Sequence, residues 1–124
     1  MKSLTQVSFP LAVALALGLL GCKKSGPLDA TKPLQQSFES AGPEVQQAIA
    51  TVNASLKAKD FEAATKALVP LVSGRAMTDA QRNAVGLALQ QINQAVTANP
   101  GLDTKEMYQL RKQIFHAVDS APRL

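Results

Sequence analysis

The stretch "TDAQRNAVGLALQQINQAVTANPGLDTKEM", residues 78–107, carries the strongest local structural signals in the chain. It opens on Thr78 with Gln81 three positions later, which is the capping-box pattern of a helix N-terminus. The apolar repeat that follows stops at the Asn-Pro-Gly tripeptide of residues 99–101, which disfavours helix continuation. The stretch therefore predicts one complete helix, helix C, and the beginning of another, helix D.

Helix D has its own start signal. Asp103 is predicted to cap it, Glu106 to reach back in a second capping box, and Leu102 to pack onto Met107. Helices C and D each carry one apolar stripe at helical spacing, which predicts that each buries one face. The stripe of helix C comprises Val85, Leu89, Ile92 and Val96, and that of helix D comprises Met107, Leu110, Ile114 and Val118.

Two further helices, A and B, are predicted upstream. Helix A begins at Pro43, a residue suited to a first helical position, and runs to about Ala58. Asp60 is predicted to cap helix B, in which Pro70 predicts a kink or a nearby end and Gly74 a terminator. The inward residues are Val45, Ile49, Val52 and Leu56 in helix A, and Phe61, Ala64, Leu68 and Leu71 or Val72 in helix B.

Four apolar stripes joined by short turns predict an all-α fold, a small antiparallel four-helix array. Periodicity leaves open whether this array is a bundle or two stacked helical hairpins. The composition fits tightly packed helices, because 46% of the residues are apolar but only 4% are aromatic and none is Trp. A single cysteine excludes an internal disulfide, so packing must stabilise the domain.

The positive charge of the chain lies mainly outside the predicted helices. The formal net charge is +4, but four of the thirteen basic residues, Lys2, Lys23, Lys24 and Lys32, precede residue 33. Residues 43–121 hold eight Lys and Arg against seven Asp and Glu, so the predicted domain is close to neutral. Nucleic-acid binding depends on concentrated positive charge, and no nucleic-acid partner is predicted.

The N-terminus has the features of an export signal. Lys2 precedes an apolar run from Val7 to Leu20, which is shorter than the roughly 20 residues that a membrane-spanning helix needs. The run ends in Leu19-Leu20-Gly21-Cys22, which resembles the lipobox of bacterial lipoproteins. Residues 1–21 are therefore predicted to form a lipoprotein signal peptide.

The resemblance to bacterial lipoproteins implies a lipid anchor on the only cysteine. In that family the thiol receives diacylglycerol, the peptide is cut before the cysteine, and the new amino terminus receives an acyl chain such as palmitate. Cys22 is the expected lipidation site, no other cofactor is predicted, and Lys23 and Lys24 are expected to contact the membrane surface. Since Lys23 is not the Asp that retains enteric lipoproteins, the resemblance implies the outer membrane facing the periplasm rather than the inner membrane.

Residues 22–42 are predicted to form the lipidated cysteine and a flexible tether, and residues 43–121 the helical domain. The tether segment is rich in Pro, Gly, Ser, Thr and Lys without a sustained period. Leu34 and Phe38 stand four positions apart, so a short helix docking on the domain is the alternative.

Residues 56–68, "LKAKDFEAATKAL", resemble the middle of a tetratricopeptide repeat, with Asp60-Phe61 opening the second helix and Ala64 at a small-residue position. A second unit would recur 34 residues on. That shift places Asp60 on Gln94, inside helix C, where no helix begins. We interpret the stretch as a single TPR-like helical hairpin.

Residues able to carry chemistry are few. The only histidine, His116, is predicted to face solvent one turn from Asp119, and Tyr108 is predicted to border the core. No cluster of His, Cys, Asp or Glu has the spacing of metal ligands, so no metal and no enzymatic activity are predicted. An envelope enzyme that uses His116 and Asp119 is the remote alternative.

The outward side of helix C is nearly free of charge, which is unusual for a solvated helix. Its residues are Asn83, Gly86, Leu87, Gln90 and Gln94. This side is the predicted partner face, unless Gln and Asn simply solvate it or Leu34 and Phe38 cover it. The expected function is that of a lipid-anchored, non-catalytic adaptor that contacts an envelope protein. The alternative is a structural lipoprotein that self-associates.

Overall fold

The computed structural model describes residues 28–124, and this part of the chain is helical with no β-strand. Its five α-helices are α1 (Thr31–Ser37), α2 (Pro43–Lys57), α3 (Phe61–Val72), α4 (Asp79–Ala98) and α5 (Lys105–Ser120). A short 3-10 turn, Pro100–Leu102, connects α4 to α5. The predicted helices A to D correspond to α2 to α5, so the all-α four-helix array is confirmed, with α1 added to it.

The helices form two hairpins that close into a ring around one core. The first hairpin, α2 with α3, packs on the second, α4 with α5, through contact between α3 and α5. On the opposite side, α1 lies between α2 and α4 and closes the seam. The core contains residues from all five helices, including Leu34, Val52, Leu68, Ile92 and Ile114, each fully buried.

Three of the four predicted helix starts are confirmed. Pro43 occupies the beginning of α2. The Asp60 carboxylate accepts a hydrogen bond from the amide of Ala63 at 3.1 Å. Thr78 and Gln81 form a complete capping box, with each side chain accepting a hydrogen bond from the other residue's amide. These caps provide hydrogen-bond acceptors for amides that have no partner within the helix. Because each cap lies within a few residues of the amide it bonds, the helix starts can be predicted from the sequence.

The predicted start of helix D is wrong by one residue. Thr104, not Asp103, caps α5, and its hydroxyl accepts a hydrogen bond from the amide of Met107 at 3.1 Å. The Asp103 carboxylate instead pairs with the guanidinium of Arg111 at 2.9 Å. Both Asp and Thr are good capping residues. The ion pair to Arg111, a turn and a half into α5, engages Asp103 and leaves the cap to Thr104.

The predicted tether boundary at residue 42 is also wrong, and the alternative of a short docked helix is correct. Leu34 is 0% exposed and Phe38 4% exposed, so residues 30–42 belong to the helical domain. Polar side chains of the neighbouring helices hold α1 in place. The amide of Asn53 donates to the carbonyl of Thr31 at 3.0 Å, and that of Gln81 donates to the carbonyl of Ser37 at 3.1 Å.

The C-terminal end of the chain is fastened to the connection between the two hairpins. Met77, which is buried, donates its amide to the carbonyl of Pro122 at 3.0 Å and accepts from the amide of Leu124 at 3.4 Å. The guanidinium of Arg82 on α4 donates to the carbonyls of Val118 and Ala121 at the end of α5. The ordered domain therefore extends past the predicted end at residue 121.

Two turns show how the hairpins end their helices. At the end of α2, Lys59 adopts a left-handed conformation, with φ of 61°, and the amide of Asp60 donates to the carbonyl of Ser55 at 2.8 Å. This is the helix-ending geometry that glycine usually adopts. Pro70 lies inside α3, which ends two residues later at Val72, and Gly74 follows with φ of 71°.

Among residues 28–124, no helix is long and apolar enough to cross a bilayer.

Candidate interaction surface

The predicted partner face of α4 is divided between solvent and a groove. Asn83, Gln90 and Gln94 are exposed, whereas Gly86 and Leu87 are half-buried. Gly86 and Gln90 border a groove between α4 and α5, and Gln94 borders a different one beside α2. The structure therefore brings only part of the predicted set into one site.

Helix α1 packs on the side of α4 next to the predicted partner face and does not cover that face. The side chain of Gln91 accepts from the amide of Ala30 at 2.9 Å, and Gln81 binds the other end of α1. A helix turns 100° per residue, so Ala84 and Ala88 lie on the same side of α4 as Gln81 and Gln91. Both alanines are buried. Their small side chains permit close helix approach.

The groove between α4 and α5 has a volume of about 320 Å³. We call it the α4–α5 groove. Its lining residues are Gly86, Leu89, Gln90 and Asn93 on α4, and Phe115, Val118 and Asp119 on α5. At Gly86 a Cβ atom would meet nothing within 4 Å, so the absence of a side chain there leaves space above the helix surface. The floor is apolar and the rim is polar, the usual anatomy of a protein contact site.

Two exposed aromatic residues lie on α5, one of them in the groove wall. Phe115 is 58% exposed and Tyr108 53% exposed. They are separated by two helical turns and share one face. The prediction that Tyr108 borders the core is therefore wrong. The signal was present in the sequence, since Phe115 lies about 100° from its neighbour Ile114, outside the predicted stripe.

Arginine side chains clamp the groove at both ends. Towards the start of α5, the guanidinium of Arg111 donates to the side chain of Asn93 and to that of Asp103, each at 2.9 Å. Towards its end, Arg82 donates to the carbonyl of Ala121 at 2.7 Å. Charged donors of this kind strengthen a hydrogen bond and suit the negative end of a helix dipole. These contacts tie α4 to α5 at both ends of the groove.

Of the pair proposed for the remote enzymatic alternative, Asp119 lines the groove and His116 lies on the surface of α5. His116 and Asp119 are both exposed. The imidazole packs edge-on against the ring of Phe115, with ring centres 5.8 Å apart. The hydroxyl of Ser120 donates to the backbone carbonyl of His116 at 2.6 Å, which directs it away from the imidazole. Within residues 28–124, no three His, Cys, Asp or Glu side chains converge as metal ligands do.

Among the groups of residues 28–124, Asp29 and Lys66 have perturbed pKa values, and neither lies in the groove. The hydroxyl of Thr31, and then its amide, donates to the carboxylate of Asp29 and lowers the pKa of that carboxyl. A hydrogen bond to Glu62, together with the charge of Glu106, raises the pKa of Lys66. Both shifts follow from local partners at the surface.

No protein-family model, no curated protein and no solved structure matches the chain. The lipobox, Cys22, Lys23 and Lys24 lie outside the described residues. The membrane attachment of the protein therefore stays a prediction from the sequence, whereas the α4–α5 groove is a feature of the fold.

Proposed function

We propose that this protein is a bacterial cell-envelope lipoprotein whose helical domain binds another envelope protein through the α4–α5 groove. The lipid anchor is supported by the lipobox sequence at Leu19-Leu20-Gly21-Cys22. In this proposal the chain is attached to the outer membrane and faces the periplasm. Several acyl chains on Cys22 hold it far more firmly than one would, because each buried CH₂ contributes ~0.8 kcal/mol.

The observation that carries the binding proposal is Phe115. Phe115 is 58% exposed beside the groove, so the free protein keeps a large apolar surface in contact with water. Covering that surface with a partner is favourable. Aromatic residues of this kind are enriched at the centres of protein interfaces, where they fill pockets of the partner. The occupant that fits the groove is an apolar side chain from a partner helix, with polar neighbours that bond Gln90 and Asn93.

The binding proposal is tested by photocrosslinking in intact cells. A photoreactive residue at Gln90, at the rim of the groove, is expected to form an adduct with one defined protein. The same residue at Gln36, an exposed glutamine on α1, serves as the matched control. The substitution Gly86→Leu should abolish the Gln90 adduct, because the added side chain fills the groove. Recovery of no adduct at Gln90, or an adduct unaffected by Gly86→Leu, contradicts the proposal.

Self-association is the second candidate function, and one feature of α5 favours it. Tyr108 and Phe115 share a face that has Lys105 near its start and Asp119 near its end. Two copies of α5 packed antiparallel would place Lys105 of one copy opposite Asp119 of the other, with the aromatic residues between them. Light scattering separates the two functions. A dimer of residues 23–124 that Phe115→Gln dissociates supports self-association, and a monomer contradicts it.

A further inference from the structure

The chain enters the described domain at one end of the helix array. Leu28 is half-buried there and lines a groove of about 650 Å³. The same groove is lined by the end of α2, the start of α3, the end of α4 and the turn after it. We call this end the near pole and define it as residues 28–32, 57–61 and 98–102. The far pole is the α3–α4 connection, residues 73–78.

Chain length limits how far the near pole can be from Cys22. Leu28 is six residue steps after Cys22, and a fully extended chain spans at most about 3.6 Å per step, or about 22 Å in total. Helix α4, which has 20 residues, runs between the two poles and is about 30 Å long at 1.5 Å per residue. If the far pole contacted the lipid, the near pole would stand out of reach of Cys22. A chain anchored at Cys22 therefore keeps Leu28 within about 22 Å of the lipid, which favours the near pole over the far pole as the end that faces the membrane.

The near pole also carries the charge that an anionic leaflet attracts. Lys57 and Lys59 end α2 with exposed side chains, and Lys32 is exposed in the first turn of α1. The two acidic residues of this pole keep their charge but accept hydrogen bonds within the fold, and Lys57 lies close enough to Asp29 to help lower the pKa of its carboxyl. Asp29 accepts two hydrogen bonds from Thr31, and Asp60 accepts the capping bond of α3. Three exposed lysines, Lys32, Lys57 and Lys59, therefore stand against two aspartates, Asp29 and Asp60, which leaves the near pole with a net charge of +1 (3 − 2) for phosphate headgroups to attract.

We propose that the near pole faces the membrane leaflet that holds Cys22, with Lys57 and Lys59 in contact with anionic phospholipid headgroups. This orientation rests on the lipid anchor of the proposed function. It adds a second point of contact to the anchor and restricts rotation of the domain. It also leaves the α4–α5 groove on the side of the array, since α4 and α5 both extend between the two poles. The groove is then open to a partner in the periplasm.

The absence of Trp and the single cysteine make this orientation measurable. The mature chain, residues 22–124, is coupled through the Cys22 thiol to a maleimide lipid in vesicles of phosphatidylcholine and phosphatidylglycerol. Ala98→Trp places a fluorescent reporter at the near pole, and Ala76→Trp is its matched control at the far pole, both at exposed alanines. Lipids with a spin label on the headgroup quench only the reporter that lies close to the membrane surface.

The expected result is strong quenching of the Ala98→Trp reporter and little quenching of the Ala76→Trp reporter. In the uncoupled Cys22→Ser chain, binding to the same vesicles should fall about five-fold for each lysine removed in Lys57→Gln and Lys59→Gln. Lys112→Gln, an exposed lysine on α5, is the control and should have a smaller effect. Equal quenching of the two reporters overturns the orientation, and equal effects of Lys112→Gln and Lys59→Gln overturn the headgroup contact.

Chemical coupling separates this inference from the proposed function. A protein that cells leave unlipidated at Cys22 contradicts the anchor, whereas the vesicle experiment reports the preferred contact of the domain once it is attached. The two failures are therefore distinguishable.

Discussion

Helix α1 provides the sharpest test of the fold, because the sequence alone places it in a tether. Leu34 is 0% exposed and contributes to the shared core. Truncation of a fully buried leucine to alanine costs about 2 to 5 kcal/mol, depending on how far the cavity collapses. The described domain has 97 residues, and domains of this size lose roughly 4 to 8 °C of Tm per kcal/mol. Leu34→Ala is therefore expected to lower the Tm by at least about 8 °C.

Circular dichroism during thermal and urea unfolding of residues 23–124 measures this change. Gln36→Ala is the matched control, because it lies in the same helix with an exposed side chain. A surface substitution of that kind changes stability by less than about 0.5 kcal/mol. If Leu34→Ala has an effect as small as Gln36→Ala, α1 does not contribute to the core and the five-helix ring is refuted.

Three further predictions concern single residues. Arg82→Gln should destabilise the domain by about 1.5 to 3 kcal/mol and speed amide exchange at the end of α5, since it removes charged donors to Val118 and Ala121; unchanged exchange there contradicts the clamp. Gly86→Ala should stabilise the domain by about 0.5 to 1 kcal/mol in urea unfolding, because the added Cβ meets open space within a helix. Thr31→Val should raise the pKa of Asp29 towards the ordinary aspartate value of 3.8, measured by NMR titration of its carboxyl carbon.

The sign of the Asp29 effect on stability is fixed by the direction of its shift. Because the folded pKa lies below 3.8, the interaction stabilises the domain fully above that pH. It is lost as the pH falls through the folded value. In acid unfolding, the Thr31→Val variant should lose less stability than the unchanged protein as the pH falls through the folded pKa of Asp29. If both lose the same amount, the lowered pKa of Asp29 has another cause than Thr31.

The four long helices were predictable because their signals are local. Thr78, Gln81 and Asp60 cap from within their own segments, and each apolar stripe follows helical spacing. The cap of α5 was missed by one residue because Asp103 and Thr104 are both suitable caps. The choice depends on Arg111, whose contact with Asp103 exists only once α5 has formed.

Helix α1 was harder to predict, because residues distant in the sequence stabilise it. Its seven residues include only one buried leucine, and Leu34 and Phe38 supply a single pair at helical spacing rather than a sustained stripe. Isolated helices of this length are unstable in water, so tertiary contacts must hold it. Those contacts come from Asn53 and Gln81, which lie far along the sequence.

The candidate site was likewise predictable from the sequence only in part. The low charge of the outward side of α4 was visible in the sequence, and Gly86 and Gln90 do line the α4–α5 groove. The sequence shows that Phe115 lies outside the apolar stripe of α5, but its place in the groove wall depends on how α5 is rotated against α4. Arg82 and Asn93 fix that rotation through contacts between helices, which no local pattern encodes.

The central claim is that this helical domain is held at a bacterial membrane through Cys22. Mass spectrometry of the N-terminal peptide of the protein purified from the membrane fraction of its host tests it most directly, with Cys22→Ala as the control. We expect a peptide that begins at Cys22 and carries diacylglycerol and an N-acyl chain, and we expect Cys22→Ala to lose both. A chain that retains Met1, or a mature Cys22 with a free thiol, would contradict the account.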